Sequence, residues 1–426
     1  MSLLGSFNTG VSGLQAAGQS MGIIGDNIAN AGTFGFKSSR AEFQDMLAKS
    51  LKGIDGGDQI GSGTKLAHVK AKFTQGSISR TENITDLAVN GNGFFVVEAG
   101  KGRGFTRDGS FHFDKEGNLI NGDGYKILGF QANEDGEITQ KTGPIKLGGT
   151  TIPARATEKV NVNMNVDSRA DIQVFDPNNP EKTSDFNSSI QVFDNVGTQR
   201  LITLHFNKVA NNTWEYHAMV PGEDAANGQE GTMVEMGKGK LVFNDKGQLQ
   251  EEVVELNSFN FNKGAAPNQQ IEFSFGESLK EGGNGNDAST QYGSETSIAR
   301  HNQDGASAAT LASLSFNDEG ILTASYDNGE TRDLAQMAIG KFENNEGLFK
   351  MGKNLFKETR NSGQAAIGKP GKDGRGEILS KSIEQSNVDI ANEFIALMNA
   401  QRNFQANTRT ITTSDQMLQE VLNIKR

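Results

Sequence analysis

The chain has 426 residues, of which 41 are Lys or Arg and 52 Asp or Glu, a formal net charge of -11; 35% are apolar, 52 are glycine, 7 are proline and none is cysteine. That length allows two or three domains with sizeable cores. The acidic balance disfavours nucleic acid and anionic membrane surfaces as partners, and the absence of cysteine excludes disulfides, thiolate metal sites and cysteine nucleophiles.

No Lys or Arg precedes Lys37 and no 18 apolar residues run unbroken, so neither a Sec-type signal peptide nor a membrane-inserted helix is expected. All seven prolines lie between Pro144 and Pro370, which leaves both ends free to be helical. In residues 1–31, Phe7, Leu14, Met21 and Ile28 recur every seven positions beside a line of Leu4, Val11, Gly18 and Gly25, which predicts a helix with a four-heptad seam. Gly5, Gly10, Gly13, Gly18, Gly22 and Gly25 oppose that helix by about 1 kcal/mol each relative to alanine. It is expected to be disordered until packed, and the same small residues allow close approach among many copies. "ANAGTFGFK", Ala29 to Lys37, then breaks the pattern, and 32–71 read as a connecting segment.

The middle of the chain changes to period two. "GFFVVEAG", "SIQVFDNVGTQRLITLHF", "LVFNDKGQLQ" and "IEFSFG" predict strands. A recurring theme, "FDKEGNL" at Phe113, "FNDKGQL" at Phe243, "FNDEGIL" at Phe316 and, more loosely, "ANEDGEI" at Ala132, reads as hairpin turns rather than calcium loops, since no copy has the twelve-residue ligand spacing. Glycine-rich stretches at 141–154, 280–290 and 361–377 mark candidate linkers. The first two bracket an insert of about 140 residues with the sole tryptophan, Trp214, which looks like a β domain of its own.

At the C-terminus Ser386 and Asp389 make a capping-box-like start, followed by Ile390, Leu397, Phe404, Ile411 and Leu418 at seven-residue spacing. The companion line of Phe394, Gln401, Thr408, Asp415 and Leu422 is apolar only at its ends, so more than one partner helix is expected to contact it. Both seams are expected to be buried only between chains.

Nothing recommends chemistry. The five histidines never form a ligand-spaced pair, "GSGTK" at Gly61 and "GKDGRG" at Gly371 do not complete a Walker pattern and read as flexible linker, and no GxSxG occurs. "GNGFF" at Gly91 reads as a hairpin turn entering a strand. No catalytic, cofactor-binding or metal-binding residue is assigned.

With these residues laid out, "ANAGTFGFK" is similar to the signature of the bacterial flagellar axial family of rod, hook and hook-associated proteins, on Ala29, Asn30, Thr33, Gly35, Phe36 and Lys37. The closing stretch resembles the same family on Ser386, Asn387, Val388, Asp389, Gln401 and Arg402, and "LAVNGNGFFVV" and "FTRDGSFHFDKEGNLI" resemble the β domain shared by rod and hook members. The large insert, with "NNTWEYHAMV", is similar to the hook branch; the alternatives are a distal rod protein and, outside the family, a monomeric β-rich surface binding protein.

The resemblance implies an α+β chain: long terminal helices forming an axial coiled-coil-like domain, with two mainly antiparallel β domains inserted between them. The expected divisions are an N-terminal axial helix 1–31, a connecting segment 32–71, an inner β domain 72–144 continued at 285–358, an outer β domain 145–284, a Gly-rich connecting segment 359–385 and a C-terminal axial helix 386–426. It also implies a structural subunit of a curved, torque-transmitting tube with a central export channel. Its expected partners are copies of itself, the distal rod, hook cap and hook–filament junction proteins and the flagellar export apparatus, which it would pass without a cleaved signal peptide.

Overall fold

The computed structural model describes residues 3–46, 49–50, 59–100, 102–133, 136–283, 285 and 287–424. It is rich in β-structure and carries one long helix at each end, Leu3–Ala29 and Ile390–Ile424, about 40 and 52 Å long at 1.5 Å per residue. Between them the chain divides into two compact units. The inner unit is Met1–Gly148, Ser313–Ser325 and Thr331–Arg426, and the outer unit is Gly149–Ala312 with Tyr326–Glu330.

In the inner unit the strand Phe94–Ala99 pairs with Gly102–Thr106, Lys126–Ala132 and Ile339–Lys341. Its consecutive apolar residues are all buried because the sheet is covered on both faces. Phe95 and Val97 enter a core with Leu87, Leu119, Ile127, Leu322 and Met337, while Phe94 and Val96 enter an aromatic core with Phe105, Phe342 and Phe356. There Phe105 and Phe342 meet edge to face at 4.7 Å.

The outer unit is built around a five-stranded antiparallel meander, Phe186–Phe193, Gln199–Ala210, Thr213–Pro221, Met233–Phe243 and Leu249–Asn257. A second sheet centres on Lys159–Asp167. Alternate residues of both sheets, among them Val160, Val162, Phe206, Trp214, Tyr216 and Phe275, close one core.

The structure changes several expectations. The Gly-rich segment at 280–290 does not return the chain to the inner unit: Thr290–Tyr292 and Ser297–Gln303 both pair with Lys159–Asp167, so the outer unit runs on to Ala312 instead of ending at 284. The segment 359–385, read as linker, is largely structured; Ala366–Gly368 pairs with Ile339–Lys341 and Glu377–Ser380 with Leu87–Asn90. Likewise Ser39–Asp45 and Thr64–Ala71 pair within the connecting segment 32–71, and the latter strand takes up part of "GSGTK". "GNGFF" is not a hairpin turn, because Leu87–Asn90 pairs with Glu377–Ser380 and not with Phe94–Ala99. In each case a long-range partner satisfied a backbone that local sequence left open.

The repeated theme behaves alike at all four places. The side-chain oxygen of Asp114, Asn133, Asn244 or Asn317 accepts the backbone N–H four residues on, and the intervening Gly117, Gly136, Gly247 or Gly320 has a φ of +70 to +84°. Two further turns share this geometry without the full sequence theme, Asn121 with Gly124 and Asp194 with Gly197.

Candidate assembly interface

The terminal helices pack on one another within a single chain. On the C-terminal helix the covered positions are Glu393, Leu397, Ala400, Phe404, Asn407, Ile411, Ser414 and Leu418, alternating in steps of four and three, with Ala396 beside Leu397. On the N-terminal helix the buried residues are Gly10, Ala16, Ala17, Ile24 and Asn27. Glycine is what lets the backbones close: a Cβ on Gly10 would lie 3.0 Å from Ile411 Cγ1, and one on Gly13 would lie 2.7 Å from the Asn407 amide oxygen.

The expected seams therefore lie differently. Phe7, Val11, Leu14, Met21 and Ile28 are only half-buried, since the buried line 10–17–24 runs about 60° around the helix from 7–14–21. Gly18 and Gly25 face open space. The side chains of Leu4 and Leu422 lie outside the described residues. Leu397, Phe404, Ile411 and Leu418 do face the partner helix, but inside the same chain, which corrects the expectation that they are covered only by other copies. Their companions are Glu393, Ala400, Asn407 and Ser414, not Phe394, Gln401, Thr408 and Asp415, which are exposed. Small and polar residues serve there because the opposing surface is glycine and alanine.

What remains uncovered is a second apolar stripe. Ile390 is 50% exposed, Phe394 50% and Met398 49%, one helical turn apart on one face. Gln401 and Arg402 are exposed beyond them.

The signature residues form the junction from which both helices leave the β-structure. Asn30 donates from its side chain to the Asp26 carbonyl at 2.8 Å and Thr33 Oγ1 to the Asn30 carbonyl at 2.8 Å, ending the helix after Ala29. Gly35 has φ +67°; a Cβ there would lie 2.5 Å from the Arg107 carbonyl carbon and nearer still to the Asp108 nitrogen. Gly35→Ala should cost at least about 2 kcal/mol of inner-unit stability, since neither the left-handed backbone nor the approach to Arg107 tolerates a methyl. Urea unfolding followed by circular dichroism checks this, and a cost below half that figure would contradict it.

Phe36 lies 5.1 Å beneath the Lys350 ammonium, and Lys37 runs inward. Its Nζ is 2.6 Å from Glu384 Oε1 and donates to the Thr74 carbonyl at 2.8 Å. Glu384 Oε1 also accepts the Gly76 N–H at 2.8 Å, and Oε2 accepts from Arg107 Nη1 at 3.0 Å. All three charged groups are buried. Burial pushes both the Lys37 ammonium and the Arg107 guanidinium below their ordinary values, against the pull of Glu384. The surplus positive charge is met by the Val89 and Gly91 carbonyls and by the face of Phe94, 5.4 Å from Arg107 Cζ.

Two asparagines lash the helices to this centre. Asn387 accepts the Ser38 N–H at 2.8 Å and donates to the Lys72 carbonyl at 2.7 Å. Buried Asn27 accepts the Ser39 N–H and donates to its carbonyl, both at 2.8 Å, and reaches Glu393 Oε1 at 3.2 Å. Ser386 accepts the Val388 N–H, and half-buried Val388 leads to Asp389, which caps the C-terminal helix by accepting the Ala391 and Asn392 N–H groups. The sequence singled out Lys37 and Asn387 but missed Arg107, Glu384 and Asn27; the flanking "FTRDGS" and the position of Glu384 just before the signature were the signals available.

Among the described residues no three His, Asp or Glu side chains converge to hold a metal, and no helix is long and apolar enough to cross a membrane. Comparison with known proteins gives the junction its context. Family models match along the chain: Flagella basal body rod protein at 7–37, Flagellar hook protein FlgE/F/G D1 domain at 88–167, Flagellar basal body protein FlaE D2 domain at 161–306, and Flagellar basal body rod FlgEFG protein C-terminal at 379–424. The flagellar hook protein FlgE of Borreliella burgdorferi is 34% identical over 99% of this chain and all of its own, and that of Escherichia coli K12 is 30% identical over the same shares. The crystal structure of Helicobacter pylori flagellar hook protein FlgE2 shares the fold, with a TM-score of 0.54 and 13% identity over 72% of this chain and all of that one. The chain belongs to the flagellar hook protein FlgE family.

Proposed function

We propose that this chain, a structural subunit of the bacterial flagellar hook and not an enzyme, polymerises through its terminal helices into a short curved tube around a central channel. The tube would transmit motor torque to the filament as a flexible joint. One observation carries the proposal: the paired helices leave Ile390, Phe394 and Met398 exposed in a row, an apolar face that a chain of a self-assembling family covers with its neighbours. The helix pair would form the coiled-coil-like axial domain, with Leu4, Phe7, Val11, Leu14, Met21 and Ile28 completing contacts between copies. The two β domains would form shells whose more polar contacts slide as the tube bends.

The chain resides in the flagellum. Export through the flagellum-specific apparatus without a cleaved leader, and end contacts with the distal rod, the hook cap and the hook–filament junction proteins, complete the proposal. Electron microscopy of the full-length chain under salting-out conditions tests it, beside a chain lacking residues 1–30 and 388–426. Asn387 is retained in that chain because it ties Ser38 to Lys72. Curved tubes from the full-length chain alone are expected; straight tubes would point to a rod protein, and tubes from both chains would remove the helices from assembly.

A further inference from the structure

The outer unit carries a buried pair of histidines away from the terminal helices. His205 and His217 stand directly opposite each other on neighbouring antiparallel strands, and both are buried. Such cross-strand neighbours have their Cβ atoms about 5 Å apart. They are covered by the segment from Ala170 to Asp185, which crosses this face of the meander. Phe175 stacks flat on the His217 ring, with centroids 3.8 Å apart and planes 11° from parallel. Ser184 Oγ lies 2.8 Å from the Pro180 carbonyl and 3.1 Å from His205 Nδ1, so the strap hydrogen-bonds the His205 ring directly.

Few other bonds hold the strap. Gln173 donates its N–H to the Lys208 carbonyl at 2.9 Å and accepts from the Asn207 side chain at 3.3 Å. Lys208 Nζ reaches the Ala170 carbonyl, Asp185 accepts the Lys208 N–H, and the Asp185 N–H donates to the Phe206 carbonyl at 2.9 Å. On the strap's outer side Val174 is 88% exposed and Ile172 is exposed too, so burial there adds little.

We propose that this strap is a pH-governed latch, seated on the histidine pair while the His205 imidazole is neutral and lifted when it is charged. His217 has a natural counterion, Glu235, whose Oε1 is 2.5 Å from Nδ1, with Glu215 3.7 Å from Nε2. His205 has no carboxylate at that range; its Nδ1 is spent on Ser184. The other charged groups facing the pair are Glu181 on the strap, Asp171 and Asp185 at its ends, Lys208 beside it, and Lys238, Lys240 and Glu255 on the strands beyond. Burial and the neighbouring His217 push the His205 imidazole below its ordinary value. The sign follows: the lifted state takes up a proton on His205 more readily, so the seated strap is fully favoured above the free-histidine value of about 6.5 and loses ground as pH falls below it. One proton couples the two states, so the loss is at most about tenfold per pH unit.

The test is hydrogen exchange of the Gln173 amide in the full-length chain between pH 7.5 and 5, corrected for intrinsic rates, with imidazole titrations by NMR alongside. Gln173 protection should fall about tenfold or more, with a midpoint matching the His205 titration, while the Trp214 amide keeps its protection. His205→Gln should flatten the response. Protection independent of pH, a midpoint matching Asp185 instead of His205, or parallel loss at Trp214 would each overturn the latch. Should His205→Gln fail to seat the strap at any pH, agreement of the two wild-type midpoints decides.

Discussion

Glu384→Gln is expected to destabilise the inner unit by about 3–5 kcal/mol while leaving the outer unit untouched. The substitution keeps the shape but strands Lys37 and Arg107, two buried cations, without a counterion. The new amide also points donors toward donors, so hydrogen bonds are lost along with the charge. The two units can be read separately because the sole tryptophan, Trp214, sits in the outer core. Urea unfolding by tryptophan fluorescence should coincide with that of the parent chain, whereas exchange at the Ser38 amide, bound to Asn387, should speed up by two orders of magnitude or more. Lys37→Met should be milder, since Glu384 then keeps Arg107. A Glu384→Gln chain within 1 kcal/mol of the parent would mean that the ion cluster does not hold the junction.

The second large effect separates assembly from folding. Phe394→Asp with Met398→Asp should abolish tube formation, raising the concentration needed for assembly more than about 100-fold, because each new contact would bury a carboxylate. The monomer's thermal transitions should shift by no more than about 1 °C, since both side chains are half exposed in the single chain. Phe404→Asp should damage both, as Phe404 faces the N-terminal helix. Sedimentation and calorimetry on the same samples give the comparison, and tubes from the double variant would refute the stripe as an assembly surface.

Sequence periodicity was a good guide to what each segment becomes and a poor one to which side it turns. The heptad line of Ile390, Leu397, Phe404, Ile411 and Leu418 is half-buried from Leu397 onward, because a seven-residue repeat keeps one face, but Ile390 at its head is exposed. The companion line is not legible from apolarity, because Ala400, Asn407 and Ser414 are small or polar, and Asn407 sits against Gly10 and Gly13 of the opposing helix. The turns at Asp114, Asn244 and Asn317 were legible since their bonds are local. The junction was not: Lys37 and Glu384 are 347 positions apart and Arg107 and Glu384 are 277 apart, and no local pattern couples such residues.

That separation also orders the events of folding. The outer unit is nearly one continuous stretch, 149–312, whose meander pairs each strand with the next. The inner unit is closed by pairs such as Ile78–Arg80 with Ser382–Glu384, and its loop-closure entropy is recovered only when both ends of the chain are present. On topology alone the outer unit can therefore close while the last residues of the chain are still free, whereas the ion cluster and the helix pair can form only when both ends of the chain meet.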